Sequence, residues 1–597
     1  MQRRQFLTAL LLLTGLPAAC KSPADPHGEP RSNWPGHPRL IATPAEWQKL
    51  ENRRSTDPAL DAFVILLLAR ARADLKREPL GRKLEGRRLL GVSREFIRRI
   101  LLWAFAFRIS GEHIFLDRAR REMLAVAAFD DWHPEHYLDV AEMTTGLALG
   151  YDWLFDALPA DARSTIRHAI VNKGIAQARH GHKTFLMTNN WGQVCISGMV
   201  LGALAVAEDE PELAADLLAA ARQHAFIALE AYKPDGVYPE GPNYWSYGTT
   251  YETLLIAALR SATQTDWGLM EAPGLRQSAL FYAQSTGPSG KQFNFADCGE
   301  GQELSPAIFY LSQALKQPAL VAARQAMIRK RQGLNERFAP LTALWWPEAG
   351  SGQMPPLHFS GQGPQPVAIW RGSWTDPDTL YFAIKGGGAA HNHAHMDAGS
   401  FVLDLDGVRW AKDLGMQDYN SLESRGIDLW NMKQASSRWK VFRLGNAGHN
   451  TLSMGDSLHK ADGMATLSLL GNDEALIDLT PIFLPGQLGK ATRHARVADK
   501  RVALSDEILG AQPGSEIRWV MNTEAAIHLD GSRATLSLGN KRLRLNFAGS
   551  PVRLEVQDIS LPRADYNQPN PNTRQLIAHG PVSSNGSWRL KVEFSGG

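Results

Sequence analysis

Cysteine is scarce in this sequence, with three among 597 residues, at Cys20, Cys195 and Cys298. Cys20 belongs to an N-terminal leader, so a disulfide framework is excluded and at most one bridge, between the other two, is left. Two separate buried thiols are the simpler expectation. An excess of charge of one sign is lacking as well, because the formal net charge is only +3. This gives no reason to expect nucleic acid as a partner.

A long hydrophobic run is also missing. The apolar stretch near the start has polar breaks and is too short to span a bilayer comfortably as a permanent helix. It follows paired arginines in MQRRQFLTALLLLTGLPAAC, residues 1–20, which is typical of a twin-arginine export signal. The ending LPAAC resembles a lipoprotein processing site with Cys20 as the lipidated residue, although its proline departs from the usual pattern. Lipid anchoring and simple cleavage both stay open, and either predicts a periplasmic protein.

What is present is a chain long enough for at least two packed units. Residues 21–38 are proline-rich and polar, the composition of a flexible tether. From 39 to about 346 the apolar residues recur at three- and four-residue intervals, as in EFIRRILLWAFAFRIS. Many such segments joined by short polar connections indicate an all-helical domain, with a toroid of helical hairpins as one arrangement.

The pattern changes after a linker that contains glycine and proline, residues 347–366. Residues 367–597 alternate between apolar and polar, as in SFVLDLDGVRWAKDL and ATLSLGNKRLRLNFAG. Asp406-Gly407 and Gly539-Asn540 are hairpin-type turns between such runs. We expect sheets packed face to face, and the predicted fold class is multidomain α+β.

Two patches of the helical half carry residues with possible chemistry. TNNWGQV places Asn189, Asn190 and Trp191 just before a helical segment, where one asparagine is an ordinary helix cap. The segment DGVYPEGPNYWSYGTTY carries Tyr244 and Tyr247 on a stretch broken by glycine and proline. Such tyrosines are often packing residues on loops. A phenol also donates or accepts a proton where its environment shifts its pKa.

A third patch, HNHAHMDAGSF, puts three histidines and an aspartate within seven positions. On an extended chain, His393 and His395 would point to the same face. Neutral imidazoles are common zinc ligands, and zinc usually adds a carboxylate or a further histidine from elsewhere. Asp413, on the returning arm of the predicted hairpin, and His449 are candidates for these positions. A lone histidine is more often structural, but a cluster of this density favours a site.

These motifs, in the order TNNW, DGVYPEGPNYWSYG, HNHAHMDAGSF, WAKDLG and GHNTLSM, resemble the heparinase II/III-type polysaccharide lyases. The resemblance implies an incomplete α/α toroid followed by an antiparallel β-sandwich, and β-elimination at a uronic acid of an acidic polysaccharide. Asn189 or Asn190 would hydrogen-bond the uronate carboxylate and stabilise the enolate-like state. Tyr244 would protonate the departing oxygen and, for some sugar stereochemistries, act as base. His393 would be the other base or a carboxylate partner.

The resemblance also implies a structural zinc ion bound by His395, Asp413 and His449, as in some members. This ion would hold loops of the β-domain together, because elimination needs no water nucleophile. His391 and Asp397 are then candidates for orienting the ligands. Trp191 and Tyr247 would line the substrate cleft.

The sequence departs from the family pattern at one position, and two functions other than a lyase stay open. Some relatives have histidine where this chain has Asn190, which puts the details of charge neutralisation and the substrate in doubt. A zinc hydrolase is an alternative because HAHMD resembles an H-x-H-x-D stretch, although Ala398 stands where such enzymes carry another histidine. A surface lipoprotein that binds glycans without cleaving them is the other alternative. Whether the polymer is a glycosaminoglycan such as heparin or heparan sulfate, or alginate, is not encoded in these residues.

Overall fold

The computed structural model describes residues 34–348, 350 and 353–597. The predicted export signal, Cys20 and most of the predicted tether therefore lie outside the described residues. Within them, Cys195 and Cys298 are buried and unbridged, as the scarcity of cysteine predicts. In the same part of the chain, no helix combines the length and the apolar character of a membrane span.

Thirteen α-helices of the described chain precede its first strand. They are α1 Pro44–Arg54, α2 Pro58–Asp74, α3 Leu90–Ser110, α4 His113–Ala127, α5 Tyr137–Leu154, α6 Ala160–Ala169, α7 Asn190–Ala205, α8 Pro211–His224, α9 Gly241–Thr263, α10 Ser278–Gln284, α11 Pro306–Leu315, α12 Ala322–Arg329 and α13 Ala339–Leu344. The helical prediction for EFIRRILLWAFAFRIS is confirmed, since this segment lies in α3.

The long helices form two layers. α3 packs on α5, α5 on α7 and α7 on α9, while α4, α6 and α8 lie against the outside of this row. Every residue of α5 and nearly every residue of α7 is buried. A helix that is apolar on nearly all sides, as α7 is, needs such an interior position. Helical hairpins with one inner and one outer member are the arrangement that a toroid requires.

The second half is antiparallel throughout its described strands. They are β1 His358–Gly361, β2 Val367–Arg371, β3 Tyr381–Lys385, β4 Phe401–Leu405, β5 Val408–Ala411, β6 Leu452–Met454, β7 Thr466–Leu469, β8 Glu474–Asp478, β9 Lys490–Ala498, β10 Arg501–Leu509, β11 Glu516–Thr523, β12 Ala526–Asp530, β13 Arg533–Leu538, β14 Lys541–Gly549, β15 Arg553–Asp558, β16 Arg574–Pro581 and β17 Ser587–Gly596. A short helix, α14 Tyr419–Glu423, interrupts them.

These strands form three sheets. Their orders are β1-β2-β3-β4-β5, β12-β13-β14-β17-β10-β9-β8-β7 and β15-β16-β11-β6. Side chains from all three meet in one apolar core that includes Phe401, Trp519 and Phe594. The predicted α+β class, with a helical toroid followed by packed antiparallel sheets, is confirmed.

The five-stranded sheet joins the two halves. Every residue of β2, β3 and β4 is buried. In β3, Tyr381 and Ala383 pack with the helices, while Phe382 and Ile384 pack in the sheet core. A strand buried on both faces lacks the polar alternation of a half-exposed strand. The connection from β3 to β4 contains HNHAHMDAGSF, so this motif lies where the halves meet.

Turn chemistry follows the sequence. Asp406 and Gly407 both have positive φ, at 54° and 76°, and join β4 to β5, which is the type I′ geometry of two-residue hairpins. Gly539, with φ of 60°, opens the turn between β13 and β14. Strand β1 falls within the stretch 347–366 to which the linker was assigned, and it pairs with β2 as a member of the sheet.

Candidate active site

The part of the tyrosine-rich segment that carries Tyr244 and Tyr247 lies on helix α9, so the expectation of a loop broken by glycine and proline is wrong for these two residues. Pro242 occupies the first turn of α9, where its missing N–H costs no hydrogen bond. Tyr244 and Tyr247 are three residues apart on this helix and lie on one face. Their ring centroids are 6.4 Å apart. Proline here starts the helix instead of breaking it.

The histidine motif is not yet a strand, so the reason given for His393 and His395 sharing a face does not hold. β4 begins only at Phe401, and His393 adopts a left-handed backbone with φ of 62°. The two rings nevertheless converge on one buried carboxylate. His393 Nδ1 lies 2.8 Å from Asp297 Oδ2, and His395 Nε2 lies 2.9 Å from Asp297 Oδ1.

Tyr244 and His393 meet across the junction of the two halves. Their rings stack with centroids 3.9 Å apart and planes 20° from parallel. The Tyr244 hydroxyl is 2.8 Å from the hydroxyl of Tyr419, which donates to Asp297 Oδ2 at 2.9 Å. A helix residue and a β-domain histidine are thus linked through one carboxylate, as catalysis by a phenol and an imidazole would require.

Asp297 fixes the protonation of the His393 ring. Burial raises the pKa of Asp297, but the hydrogen bonds from His393 and His395 outweigh it and hold the pKa below its ordinary value. An ionised carboxylate only accepts, so Nδ1 of His393 carries a hydrogen, and in the neutral ring the lone pair is then on Nε2. Nε2 lies 3.9 Å from Glu240 Oε1, beyond hydrogen-bond distance.

The two asparagines of TNNW take different positions. Asn189 is the N-cap of α7, and its side chain accepts from the backbone N–H of Trp191 at 3.1 Å. Asn190 is buried, and its amide donates to Glu240 Oε2 at 2.8 Å. Glu240 also accepts from Asn392, the neighbour of His393. The cap role predicted for one asparagine is confirmed for Asn189, and Asn190 is the one that reaches the histidine loop.

The predicted cleft residues differ in their surroundings. Tyr247 donates to Glu142 Oε1 at 2.7 Å and lies under the guanidinium of Arg94, 4.9 Å from the ring centroid. Tyr244 and Tyr247 line one cavity of about 200 Å³. Trp191 packs edge-on against His136, with centroids 4.9 Å apart, and keeps part of its surface in solvent.

Sequence reasoning missed several residues of this site. Asp297 and Tyr419 lie in segments without a motif, and Glu240 lies inside the quoted tyrosine segment without being singled out. Trp430 was also missed. The residue is 37% exposed, and its ring stands edge-on to His393 with centroids 5.4 Å apart. An exposed indole beside a polar site is a surface on which a sugar ring can stack.

The predicted metal ligands are neighbours. His449 Nδ1 lies 2.8 Å from Asp413 Oδ2, and the rings of His395 and His449 have centroids 5.4 Å apart. His395 Nδ1 and His449 Nε2 are buried and without a hydrogen-bond partner among the described residues. Buried imidazole nitrogens rarely lack a partner. Across the described ranges, no three such side chains are arranged as a ready metal site.

The donor chemistry nevertheless fits a metal ion. Each histidine gives its other nitrogen to a carboxylate, so in the neutral rings the lone pairs are on His395 Nδ1 and His449 Nε2. Two unpaired imidazole nitrogens beside a carboxylate are a donor set that zinc accepts. Of the two residues expected to orient the ligands, Asp397 instead pairs with buried Lys385. His391 is only partly buried.

Comparison with known proteins agrees with this architecture. Residues 370–591 match the family model described as heparinase II/III-like, C-terminal. This part of the chain is therefore similar to the C-terminal domain of heparinase II/III-like proteins. The match contains the histidine motif and all three predicted metal ligands, so the family resemblance that the motifs indicate is confirmed. Among curated protein sequences, none matches the chain.

Solved structures extend the likeness to both halves. A heparinase III structure superposes with a TM-score of 0.59 at 14% identity, covering 87% of this chain and 79% of that one. A heparan sulfate lyase of Pedobacter heparinus gives 0.55 at 12% identity, with 85% and 76% covered. A chondroitin AC lyase of Streptomyces coelicolor A3, in complex with chondroitin sulphate, gives 0.50 at 13% identity, with 92% and 82% covered. The shared fold is the fold of polysaccharide lyases.

Proposed function

We propose that this protein is a polysaccharide lyase that cleaves an acidic, uronate-containing polysaccharide by β-elimination. The observation that carries the proposal is the stacked pair of Tyr244 and His393, contributed by opposite halves and joined through Asp297 and Tyr419. A glycosaminoglycan such as heparin or heparan sulfate is one candidate substrate, and alginate is another. The family match and the lyase folds of the structural neighbours support the reaction class.

His393 is suited to remove the proton from C5 of the uronate. Its Nδ1 hydrogen is held by Asp297, and its Nε2 lone pair has no donor within hydrogen-bond distance among the described residues. After proton transfer the ring would be an imidazolium, which the ionised Asp297 stabilises. The electron pair of the broken C5–H bond then forms the C4=C5 double bond as the C4–O bond breaks.

Tyr244 is suited to protonate the departing C4 oxygen. Burial raises the pKa of its hydroxyl above the ordinary value, so the phenol holds its proton at neutral pH. The Tyr419 hydroxyl donates its hydrogen to Asp297. In the free protein the Tyr244 hydroxyl therefore donates to the oxygen of Tyr419. This contact orients the acid beside the imidazole. Tyr244 can serve as base only if a substrate or ion lowers its pKa.

The uronate carboxylate must be neutralised before C5 becomes acidic, because a second negative charge develops beside it. Asn190 has one amide hydrogen on Glu240 and a second one that can bind this carboxylate. The negative charge of Glu240 works against the same step. We therefore assign Asn190 the stabilising role and Asn189 the capping role.

A zinc ion bound by His395, Asp413 and His449 belongs to the proposal. When bound, it would supply a cross-link between the β3–β4 connection and the segments that follow β5 and precede β6. Export to the periplasm, free or lipid-anchored through Cys20, is also proposed, from the leader sequence alone.

The test is incubation of the purified protein with heparin, heparan sulfate, chondroitin sulfate and alginate, followed in the ultraviolet band of the unsaturated uronate. A lyase produces this absorbance with one new reducing end per cut. A zinc hydrolase produces reducing ends without absorbance, and a glycan-binding lipoprotein produces neither. Either of the last two results contradicts the proposal.

A further inference from the structure

A basic groove runs across the outer face of the eight-stranded sheet, away from the candidate active site. The inner face of this sheet packs into the core that it shares with the five-stranded sheet, and the five-stranded sheet in turn packs on the helices. The outer face therefore belongs to the layer farthest from the helical half. The groove has a volume of about 440 Å³ and is formed by β13, β14, β17, β10 and β9.

Strand register sorts the outward side chains of the groove into two parallel rows. One row runs Arg533, Asn546, Glu593, Ala503, Arg496, and the other runs Thr535, Arg544, Ser595, Arg501, Ala498. The first row has an arginine at each end and Glu593 in its middle. The second row has Ser595 in its middle and an arginine on each neighbouring strand. Neighbouring strands lie about 4.8 Å apart. The backbones at Arg544 and Arg501, which are two strands apart, are therefore separated by about 9.6 Å.

The charge of the groove is unbalanced. Its lining has four arginines, and Glu593 is the one carboxylate in it. That carboxylate is held by Lys591 at 2.6 Å. Arg496 pairs with Glu474 at 3.2 Å. Within the described chain, Arg501, Arg533 and Arg544 have no carboxylate at ion-pair distance.

This cluster of arginines differs from an ordinary solvent-exposed strand face, on which charges of both signs are mixed. The whole chain has a net charge of only +3, and this one groove has as large an excess. Outside the groove on the same face, Arg589 is paired with Glu507 at 2.8 Å. Arginine binds carboxylate and sulfate groups with two parallel hydrogen bonds, which suits a polymer that presents such groups at regular intervals.

We infer that this groove, lined by Arg496, Arg501, Arg533 and Arg544, is a second binding site for the acidic polysaccharide. It would hold a stretch of the polymer by its anionic groups while another stretch occupies the cleft. The inference rests on the proposed function for the identity of the polymer as the substrate. No residue of the groove belongs to the candidate active site, so the site would bind without cleaving.

The experiment uses the full chain and two variants of equal charge. The groove variant carries Arg501→Gln, Arg533→Gln and Arg544→Gln. The matched control carries Lys490→Gln, Arg542→Gln and Arg589→Gln, which lie on the same sheet face outside the groove lining. All six positions are solvent-facing, and thermal melting and circular dichroism verify that both variants fold.

Binding is measured by calorimetry with size-defined heparin, chondroitin sulfate and alginate chains in the Tyr244→Phe background, so that no turnover intervenes. We expect the groove variant to lose about tenfold or more in affinity for at least one long polymer, with a weaker salt dependence. The control should stay within about twofold. With the Tyr244 hydroxyl intact, cleavage of a short oligosaccharide should be unchanged by the groove variant, while KM for the polymer rises.

Three results would overturn the inference: equal losses in both variants, no loss in either, or no binding of any polymer to the parent. Groove-dependent binding to vesicles of anionic phospholipid without polymer binding would also overturn it and assign the groove to a membrane. Because binding is read without turnover, these results differ from failure of the proposed function, which is an absence of unsaturated product from the parent.

Discussion

The two oxygens of Asp297 face regions of opposite character. On the Oδ2 side are His393 and the hydroxyl of Tyr419, next to Tyr244 and the exposed ring of Trp430. We call this the cleft side. On the Oδ1 side is His395, fully buried next to His449, which we call the closed side. Histidines two positions apart thus share a carboxylate, but only one of them lies beside a phenol and an exposed ring.

The difference shows that residue type does not decide the role of a histidine in this motif. Both rings donate one N–H to a carboxylate and keep one lone pair. On the cleft side the lone pair can meet a substrate hydrogen. On the closed side it can meet only another buried donor or a metal ion. Substitutions on the two sides should therefore separate turnover from stability.

The largest effect is expected for Tyr244→Phe on the cleft side. Loss of the proton donor should lower kcat by about 10³-fold, within the usual range for general acid catalysis. Only one hydroxyl contact, to Tyr419, is removed, so the melting temperature should change little. The measurement is the rate of unsaturated uronate formation. Trp191→Phe, at a residue that packs on His136 and keeps its aromatic character, is a control for general damage to the cleft, and comparable loss in that variant would undercut the assignment.

Asp297→Asn should affect both sides at once. The new amide cannot accept from both histidines with the same geometry, so the His393 tautomer is no longer fixed. We expect kcat to fall by about 100-fold, because a carboxylate that orients a histidine commonly contributes up to about this much to activity. Tyr419→Phe keeps the carboxylate and should cost less, and a larger loss there would reverse the order of importance.

His393→Ala and His395→Ala compare the two sides directly. His393→Ala should remove most turnover and leave the melting temperature nearly unchanged. His395→Ala should lower the melting temperature by several degrees and reduce bound zinc, while the folded fraction keeps kcat within a few-fold. Chelation of the parent should reproduce the second pattern. A parent without zinc and an unaltered melting temperature in His395→Ala would contradict the role of the closed side.

Trp430→Ala should have the smallest effect on catalysis. Loss of a stacking surface beside His393 should raise KM by about five- to tenfold, because an aromatic contact contributes roughly 1 kcal/mol. Trp430→Phe should recover much of this. If kcat falls and KM does not change, the indole orients His393 instead of binding sugar.

Glu252 lies on α9 and belongs to neither the cleft side nor the closed side of Asp297, so its substitution should change stability and leave kcat unaltered. Burial raises its pKa to about 8, and its Oε1 has no partner among the described residues. The folded state therefore keeps a proton that the unfolded state releases, and stability falls as pH rises from about 4.5 toward 8, by up to about 5 kcal/mol. Glu252→Gln should flatten this decline in melts recorded between pH 5 and 9. An unchanged decline would show that other groups cause it.

The fold was predictable from the sequence because periodicity reports burial. The helical interval in α3 and the alternation in β13 and β14 both correspond to the faces that pack. The N-cap at Asn189 and the hairpin at Asp406 were local features and were predictable for that reason. The helix start at Pro242 was misread because proline both begins and breaks helices.

The site was predictable only where residues cluster in the sequence. His393 and His395 stand out in HNHAHMDAGSF, and Tyr244 stands out once the family motifs are seen together. Asp297 comes from a separate segment nearly one hundred residues earlier, and only tertiary packing brings it between the two rings. Neither the hydrophobic periodicity nor a short sequence motif carries information about a contact between residues so far apart in the chain. The conformation of His393, with its positive φ, was equally invisible, because no glycine marks the position.

The most direct test of the account is a paired measurement on His393→Ala and His395→Ala. Initial rates of unsaturated uronate formation and melting temperatures are recorded on the same preparations, each in buffer with the same excess of zinc. The account predicts a large loss of rate with a parent-like melting temperature in the first variant, and the reverse in the second. Equal losses of rate in two equally stable variants would contradict the division of Asp297 into a cleft side and a closed side.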